Sequence, residues 1–262
     1  MKILITGGDG YIASTLREHL SKNHSVTTIS RKDFDLTNSS DVNTFFENKY
    51  FDIVFHCAVI GGSRLRTDSY YEMDCNLKMY YNLHQLKVNH FDKFITFGSG
   101  AELHSPNTPY GISKSVICKS ISETDNFYNL RIFALFDKNE LESRFIKANV
   151  KRYLRKEPMI IHQDKYMDFF YMGDFLNIID FYVENQNCPK LINFSYENRS
   201  KLSDISKLIN NLLTHKVDVI TENSELGVSY CGEYNLDSIN LDLIGLKAGI
   251  EETFENLFEI IE

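Results

Sequence analysis

Three residues in the middle of the chain have types and spacing suited to proton transfer: Ser99, then Tyr110 eleven positions on, then Lys114 four later. The segment TPYGISKS reads as helix, so Tyr110 and Lys114 fall on one helical face. A free phenol with a pKa near 10 exchanges protons poorly around neutrality. A neighbouring ammonium favours phenolate and is expected to draw that pKa down. A serine hydroxyl nearby can hold a carbonyl oxygen while the phenol protonates it as it becomes an alkoxide. The chemistry indicated is carbonyl reduction or its reverse, with the hydride carried by a cofactor.

A glycine-rich loop supplies the place for that cofactor. The apolar run KILIT (residues 2–6) leads into Gly7-Gly8-Asp9-Gly10, and Ile12, Leu16 and Leu20 then recur at helical spacing. A strand, a glycine turn and a helix N-terminus together make a pyrophosphate cradle, since backbone amides and the helix dipole both face the anion. Gly7, Gly10, Tyr11 and Ile12 are the expected contacts, and Ala13 is small enough for the close helix–strand packing usually given to a third glycine. The second strand ends in Ser30-Arg31-Lys32, where a ribose 2′-hydroxyl is usually met by an acid and a 2′-phosphate by arginine. Arg31 therefore points to NADP(H), with NAD(H) the alternative. Asp9 opposes a nearby phosphate unless it points away or pairs with Arg31.

These residues need a scaffold of alternating elements. Strands are expected at 24–30, 52–60, 92–98, 127–136 and 188–196, and helices at 11–21, 40–48 and 73–89. Such alternation implies βαβ units, an α/β fold with a doubly wound parallel sheet. The strand FITFG delivers Ser99 to the carboxyl edge, where open α/β sheets bind ligands. Beyond Asp137 the pattern loosens into amphipathic stretches at 140–156 and 201–213 and an acidic terminal helix from Gly249. The expected division is a dinucleotide-binding domain over 1–137, with 166–200 returning to it. A smaller, mainly helical substrate lobe takes 138–165 and 201–262.

Composition excludes several classes. The 262 residues carry a formal net charge of −8 and no basic block, which disfavours nucleic-acid or anionic-membrane partners. Five cysteines without a CxxC, and eight histidines without HExxH, predict no disulfide frame and no metal site. No apolar run reaches the ~20 residues of a membrane span, and no leader-like layout opens the chain, so the expected location is cytoplasmic.

TGGDGYIA, HCA at 56–58, Ser99 and Tyr110-x-x-x-Lys114 together resemble the short-chain dehydrogenase/reductase superfamily, in its extended branch of nucleotide-sugar epimerases and dehydratases. MDFFYMGDF (167–175) is similar to that branch's RDFIYVDD-type segment, and GLKAGIEETFENL to its closing helix. The resemblance implies a Rossmann fold and makes Ser99, Tyr110 and Lys114 the catalytic set, with Lys114 and Tyr110 also at the nicotinamide ribose. It makes Asp35 and Leu36 the pair bracketing adenine, and sets Cys57 and Ala58 against the cofactor. Asn76 matches an asparagine beginning a central helix in many members. A homodimer paired through the YxxxK helices is implied by the same analogy.

Within the branch, AVIGGS (58–63) and SRKDFDLTN resemble GDP-fucose synthases, which epimerise a 4-keto sugar and then reduce it with NADPH. That likeness makes Ile60, Gly61, Gly62, Ser99, Tyr110 and Phe133 the expected substrate contacts. The epimerase cysteine two residues beyond the serine is here Ala101, and 136–146 holds no histidine; His104 lies nearby but off the motif. A plain reductase of a nucleotide-linked 4-keto-6-deoxy sugar is therefore expected. The alternatives are an NAD-dependent 4-epimerase and a catalytically idle NADP-binding regulator; a 4,6-dehydratase would need the acids that Ser99-Gly-Ala lacks. The family's RDF arginine is Met167 and its RxxNxYG asparagine is Ala134. Arg64, Arg66, Arg144, Lys147, Lys151 and Arg152 are the candidates to meet the sugar nucleotide's phosphates instead.

Overall fold

The computed structural model describes residues 1–63 and 66–261, and it divides into two compact units: 1–131 with 187–192, and 132–186 with 193–262. In chain order the first unit begins β1 (Lys2–Thr6), α1 (Tyr11–Leu20), β2 (Ser25–Ile29), α2 (Ser39–Phe46), β3 (Phe51–His56) and α3 (Tyr70–His84). It continues with α4 (Lys87–His90), β4 (Phe91–Ser99), α5 (Ala101–His104), α6 (Pro109–Ser122) and β5 (Phe127–Ile132). The second unit holds β6 (Leu135–Phe136), α7 (Phe145–Leu154), β7 (Met159–Gln163), β8 (Phe170–Tyr171) and α8 (Met172–Glu184). After β9 (Leu191–Asn193), which returns to the first sheet, come α9 (Leu202–Asn210), β10 (Val219–Asn223) and α10 (Leu246–Ile261).

The strand order in the first unit is β2-β1-β3-β4-β5-β9, with β1 parallel to both β2 and β3, and β3 parallel to β4. This is a Rossmann-like α/β sheet. The chain runs from β1 to one side and returns for β3 on the other, so the order reverses between β1 and β3, where such sheets open a crevice at their carboxyl ends. Ile3, Leu4 and Ile5 have no exposed surface, as a strand covered on both faces requires. A core cluster including Leu4, Val54, Tyr80, Phe94 and Phe127 backs the sheet.

Several boundaries differ from the sequence expectation for local reasons. The third strand stops at His56, and Cys57–Gly62 is irregular, with Gly61 and Gly62 at φ of 88° and 72°. The central helix starts at Tyr70 because Ser69 and Glu72 form a capping box. It ends at His84, with a separate turn at Lys87–His90. The expected strand over 127–136 is two pieces, β5 and β6.

The second unit contains two parallel strand pairs, β6 with β8 and β7 with β10, alongside four helices longer than two turns. Its own core joins Phe136, Ile146, Tyr153, Ile161, Met167, Ile205, Ile250 and Phe254. Within it the MGDF segment is a fixed point: the fully buried Asp174 accepts hydrogen bonds from the backbone N–H of Ile244 at 2.6 Å and Gly245 at 2.9 Å, and from the Tyr196 hydroxyl at 2.5 Å. Among the described residues no helix is long and apolar enough to cross a membrane, and no group of three His, Cys, Asp or Glu side chains could hold a metal.

Candidate active site

The glycine loop closes on the end of β3. Gly7 adopts φ of 71°, and a Cβ there would lie 2.7 Å from the Ala58 nitrogen, so only glycine permits this approach. The Gly8 N–H donates to the Ile29 carbonyl and the Gly10 N–H to the Gly7 carbonyl, each at 2.9 Å, which fixes the turn. Gly10 is the N-cap of α1 and no side chain caps it, whereas α2, α3 and α6 are capped by Asn38, Ser69 and Thr108. Ala13 has no exposed surface, in keeping with the packing task expected of it. Tyr11 and Ile12, the first residues of α1, are half-buried. A tight backbone cradle below an uncapped helix start fits a dinucleotide pyrophosphate.

Across β1 and β3 the paired residues Thr6 and His56 share a hydrogen bond of 2.9 Å, and the Ala58 N–H donates to the Thr6 hydroxyl at 3.2 Å. Burial, aided by the Lys114 charge, drops the His56 pKa to about 3, so the imidazole is neutral. Burial likewise pushes the half-buried Cys57 thiol well up.

Beyond β2, the Ser30 N–H donates to Asp33 at 2.8 Å and Arg31 is exposed. Asp9 does not pair with Arg31; its carboxylate meets Lys32 Nζ at 3.0 Å, with both side chains largely in solvent. Asp35 is exposed and accepts from the Thr37 N–H at 2.9 Å. Leu36 is a core residue, 7% exposed, and its carbonyl accepts from Asn82 at 2.9 Å.

Ser99, Tyr110 and Lys114 come together within the first unit. Ser99 ends β4, and Tyr110 and Lys114 lie on α6, whose first turn carries Pro109 and is capped by the Thr108 hydroxyl accepting from the Gly111 N–H at 3.2 Å. The Ser99 side chain lies close enough to the Tyr110 hydroxyl to act on its proton affinity. Lys114 Nζ lies 5.7 Å from the Tyr110 ring centroid and donates to the Phe97 carbonyl at 2.6 Å.

The electrostatics differ from the expectation that Lys114 lowers the Tyr110 pKa. Burial raises Tyr110 to about 12; the Ser99 side chain draws it down, while the Glu102 and Asp68 charges push it up further. Lys114, 9% exposed, is itself lowered to about 8 by burial, against which Glu102 acts most strongly, ahead of Cys57. In this arrangement Tyr110 holds its proton throughout the neutral range and can donate it.

Gly62 packs against the tyrosine: a Cβ there would come 2.7 Å from Tyr110 Cζ. Its N–H donates to Asp68 Oδ2 at 2.9 Å; Asp68 Oδ1 is buried with no hydrogen-bond partner among the described residues. Asn76 is buried in mid-α3, and its amide takes both polar groups of Ile60: the Ile60 N–H donates to Oδ1 and Nδ2 donates to the Ile60 carbonyl, each at 2.8 Å.

Phe133 belongs to the second unit, where its ring meets Tyr230 at 5.8 Å, edge to face. Of the basic residues offered as phosphate contacts, Arg64 lies outside the described residues. Arg66 pairs with Glu72 at 3.2 Å, and Lys147 and Lys151 both pair with Glu142, at 2.9 and 2.5 Å. Arg144 is the exposed N-cap of α7 and Arg152 is half-buried on the same helix. Met167 and Ala134, where the resemblance leads one to expect arginine and asparagine, are buried core residues.

One charged residue escaped the sequence reading. Glu102, in α5, is 8% exposed; it accepts the Ser99 N–H at 2.8 Å and pairs with the buried Arg131 at 2.7 Å. Its only signal in the sequence is an acid three residues after the serine, which no spacing rule distinguishes from a solvated one.

A glycine cradle at the topological switch of a Rossmann-like sheet, with Ser, Tyr and Lys gathered beside it, defines an NAD(P)-dependent oxidoreductase. The chain belongs to the NAD dependent epimerase/dehydratase family, whose profile matches residues 3–194. It is 23% identical over 265 residues to GDP-L-colitose synthase of Yersinia pseudotuberculosis, covering 86% of each chain. Among solved structures it resembles a UDP-glucuronic acid 4-epimerase of Bacillus cereus, a mutant in complex with a fluorinated UDP-sugar and NAD. The TM-score is 0.80 with 18% identity, over 99% of this chain and 100% of the other. It also resembles a GDP-mannoheptose C4 reductase of Campylobacter jejuni with NADP bound, at a TM-score of 0.75 and 19% identity over 97% of each chain.

Proposed function

We propose that the protein reduces the C4 ketone of a nucleotide-activated 4-keto-6-deoxy sugar, GDP- or dTDP-linked, with NADPH and without epimerising C3 or C5. The observation that carries this reading is the placement of Ser99 and Lys114 about Tyr110, with Ala101, 8% exposed, where an epimerase would need a cysteine. Bound at the glycine cradle, a nicotinamide dinucleotide supplies the hydride. Gly7, Gly10, Tyr11 and Ile12 would hold its pyrophosphate, Ser30 and Arg31 the adenosine ribose and its 2′-phosphate, Asp35 and Leu36 the adenine, and Cys57 and Ala58 the inner face.

The Ser99 hydroxyl holds the sugar carbonyl, and Tyr110, protonated at neutral pH, donates its proton to that oxygen as the C4–H bond forms. Lys114 binds the nicotinamide ribose and stabilises the phenolate left behind. Ile60, Gly61 and Gly62 shape the wall over Tyr110. An NAD-dependent 4-epimerase is the second reading; it draws support from Asp9, an acid on the cofactor loop engaged by Lys32 rather than by Arg31. A homodimer is the proposed assembly, and the exposed Tyr70 and Tyr71 on α3 suit such a contact. A cytoplasmic location is proposed with it.

The test is incubation with GDP- and dTDP-linked 4-keto-6-deoxy sugars and NADPH in deuterated water. NADPH oxidation without deuterium at C3 or C5 is expected, whereas incorporation there would overturn the assignment of Ala101. Tyr110→Phe should abolish turnover while leaving NADPH binding nearly unchanged.

A further inference from the structure

Behind the Ser99–Tyr110–Lys114 group lies a buried ionic network that the reduction as described does not use. Glu102 Oε2 accepts from Arg131 Nε at 2.9 Å and Nη2 at 2.7 Å, and Asn129 Nδ2 adds longer contacts to Oε1 and Oε2 at 3.5 and 3.4 Å. The other carboxylate oxygen, Oε1, accepts the Ser99 N–H at 2.8 Å. Room for that oxygen exists because residue 98 is glycine: a Cβ there would lie 2.4 Å from Glu102 Oε1. The Ser99 Oγ in turn accepts the Ala101 N–H at 3.1 Å, and the serine side chain draws the Tyr110 pKa down. One carboxylate thus sets the backbone from which the serine hydroxyl projects.

We propose that Glu102 is a positioning residue of the reduction, fixing Ser99 at the end of β4 and acting as counter-charge to the Lys114 ammonium, with Arg131 and Asn129 as its anchors. The proposal rests on the oxidoreductase reading above. Buried carboxylates persist only when paired and hydrogen-bonded, and Glu102 meets both conditions while directing one oxygen away from its arginine and toward the serine. Lys114 needs such a partner, because burial favours its neutral form and a neutral amine cannot stabilise a phenolate. The groups facing Lys114 are His56 and Cys57 from the end of β3, the Phe97 carbonyl from β4, Glu102 from α5, and Tyr110 on its own helix. Arg131 from β5 stands behind Glu102, Cys118 on α6 lies beside that arginine, and Asp68, before α3, acts on Tyr110. With His56 neutral and Cys57 protonated, Glu102 is the formal negative charge that opposes the desolvation of Lys114.

The test follows the pH dependence of NADPH affinity by cofactor fluorescence, which needs no sugar substrate, in the wild type, Glu102→Gln, Glu102→Asp and Glu102→Gln/Arg131→Met. Wild-type affinity should fall as pH rises through about 8, where Lys114 loses its proton. In Glu102→Gln the midpoint should move down by about one pH unit, a tenfold change in proton affinity. Glu102→Asp keeps the charge and should keep the wild-type midpoint, while keto-sugar turnover drops because the shorter side chain releases the Ser99 N–H. The double variant removes the stranded guanidinium, so it decides the matter if the single variant fails to fold; its midpoint should still lie below wild type. A wild-type midpoint in the variants, or an Asp midpoint as low as that of Gln, overturns the counter-charge role. Absence of any dinucleotide binding by the wild type instead sinks the functional reading and this inference with it.

Discussion

Asp9 and Lys32 face each other at 3.0 Å across the mouth of the glycine loop, leaving Arg31 next to Lys32 without that acid as partner. Both side chains are largely exposed, so the pair contributes little to folding; its effect is on what approaches the loop. A 2′-phosphate arriving near Arg31 meets a loop acid already partly neutralised by Lys32. Asp9→Asn should therefore tighten NADPH binding by about fivefold at low salt, with NADH hardly changed, and the gain should shrink as salt is added. Fluorescence titrations with both cofactors check this, and equal gains for NADH would place the 2′-position elsewhere.

Asn76 holds the chain after β3 by two hydrogen bonds of 2.8 Å to Ile60, two residues before the glycine that covers Tyr110. Asn76→Ala leaves both Ile60 groups without their buried partner, at a cost of about 1–3 kcal/mol per group. Asn76→Asp keeps the acceptor for the Ile60 N–H but sets a buried carboxylate oxygen against the Ile60 carbonyl, to which it cannot donate. Chemical denaturation should place both variants below wild type, and turnover should fall with stability as Gly62 loosens. An unchanged midpoint for the alanine variant would show that the loop is held by other contacts.

How much of this was legible beforehand follows from whether the cause is local. The KILIT strand, the glycine turn and the Tyr110–Lys114 spacing are each set by neighbours in sequence, and the structure places them as read. The capping box Ser69-x-x-Glu72 is equally local, and it sets the start of the central helix three residues before the expected one. Helix α8 is legible in the same way: Phe175, Ile178, Ile179, Tyr182 and Val183 follow the i, i+3, i+4, i+7, i+8 spacing of one buried face, a period the expected elements do not include. Glu102 illustrates the other limit: its meaning depends on Arg131 in a strand 29 residues away, and no window of sequence contains both. The tyrosine pKa failed for the same reason, since burial, a property of the assembled fold, outweighs the neighbour four residues along the helix.

Gly62→Ala tests the wall over Tyr110. The backbone there has φ of 72°, which costs a non-glycine residue roughly 1–2 kcal/mol, and the new methyl would start 2.7 Å from the phenol ring. Relief must come from movement of the ring or of the 58–62 segment. Turnover should fall by about a hundredfold or more, as displacements of about an ångström at a reacting group do. NADPH affinity should change little, because Gly7 and Gly10 are untouched. Single-turnover kinetics beside a cofactor titration separate the two effects, and parallel losses would mean that the whole β3 exit has shifted.

The pH response has opposite signs for activity and for stability, and both come from Lys114. Its pKa is lowered from 10.5 to about 8, chiefly by burial. The reduction needs the ammonium form, so the rate should decline as pH rises through about 8, while Tyr110, raised to about 12, keeps its proton well beyond that point. Stability runs the other way. Between about 8 and 10.5 the unfolded chain binds this proton and the folded chain does not, so the contribution of Lys114 to folding stability increases with pH across that window. Lys114→Met should remove both trends: turnover is lost at every pH, and the denaturation midpoint changes less steeply than in wild type between those values. A wild-type rate that stays level up to about pH 10 would show that the lysine is held charged more firmly than its burial implies.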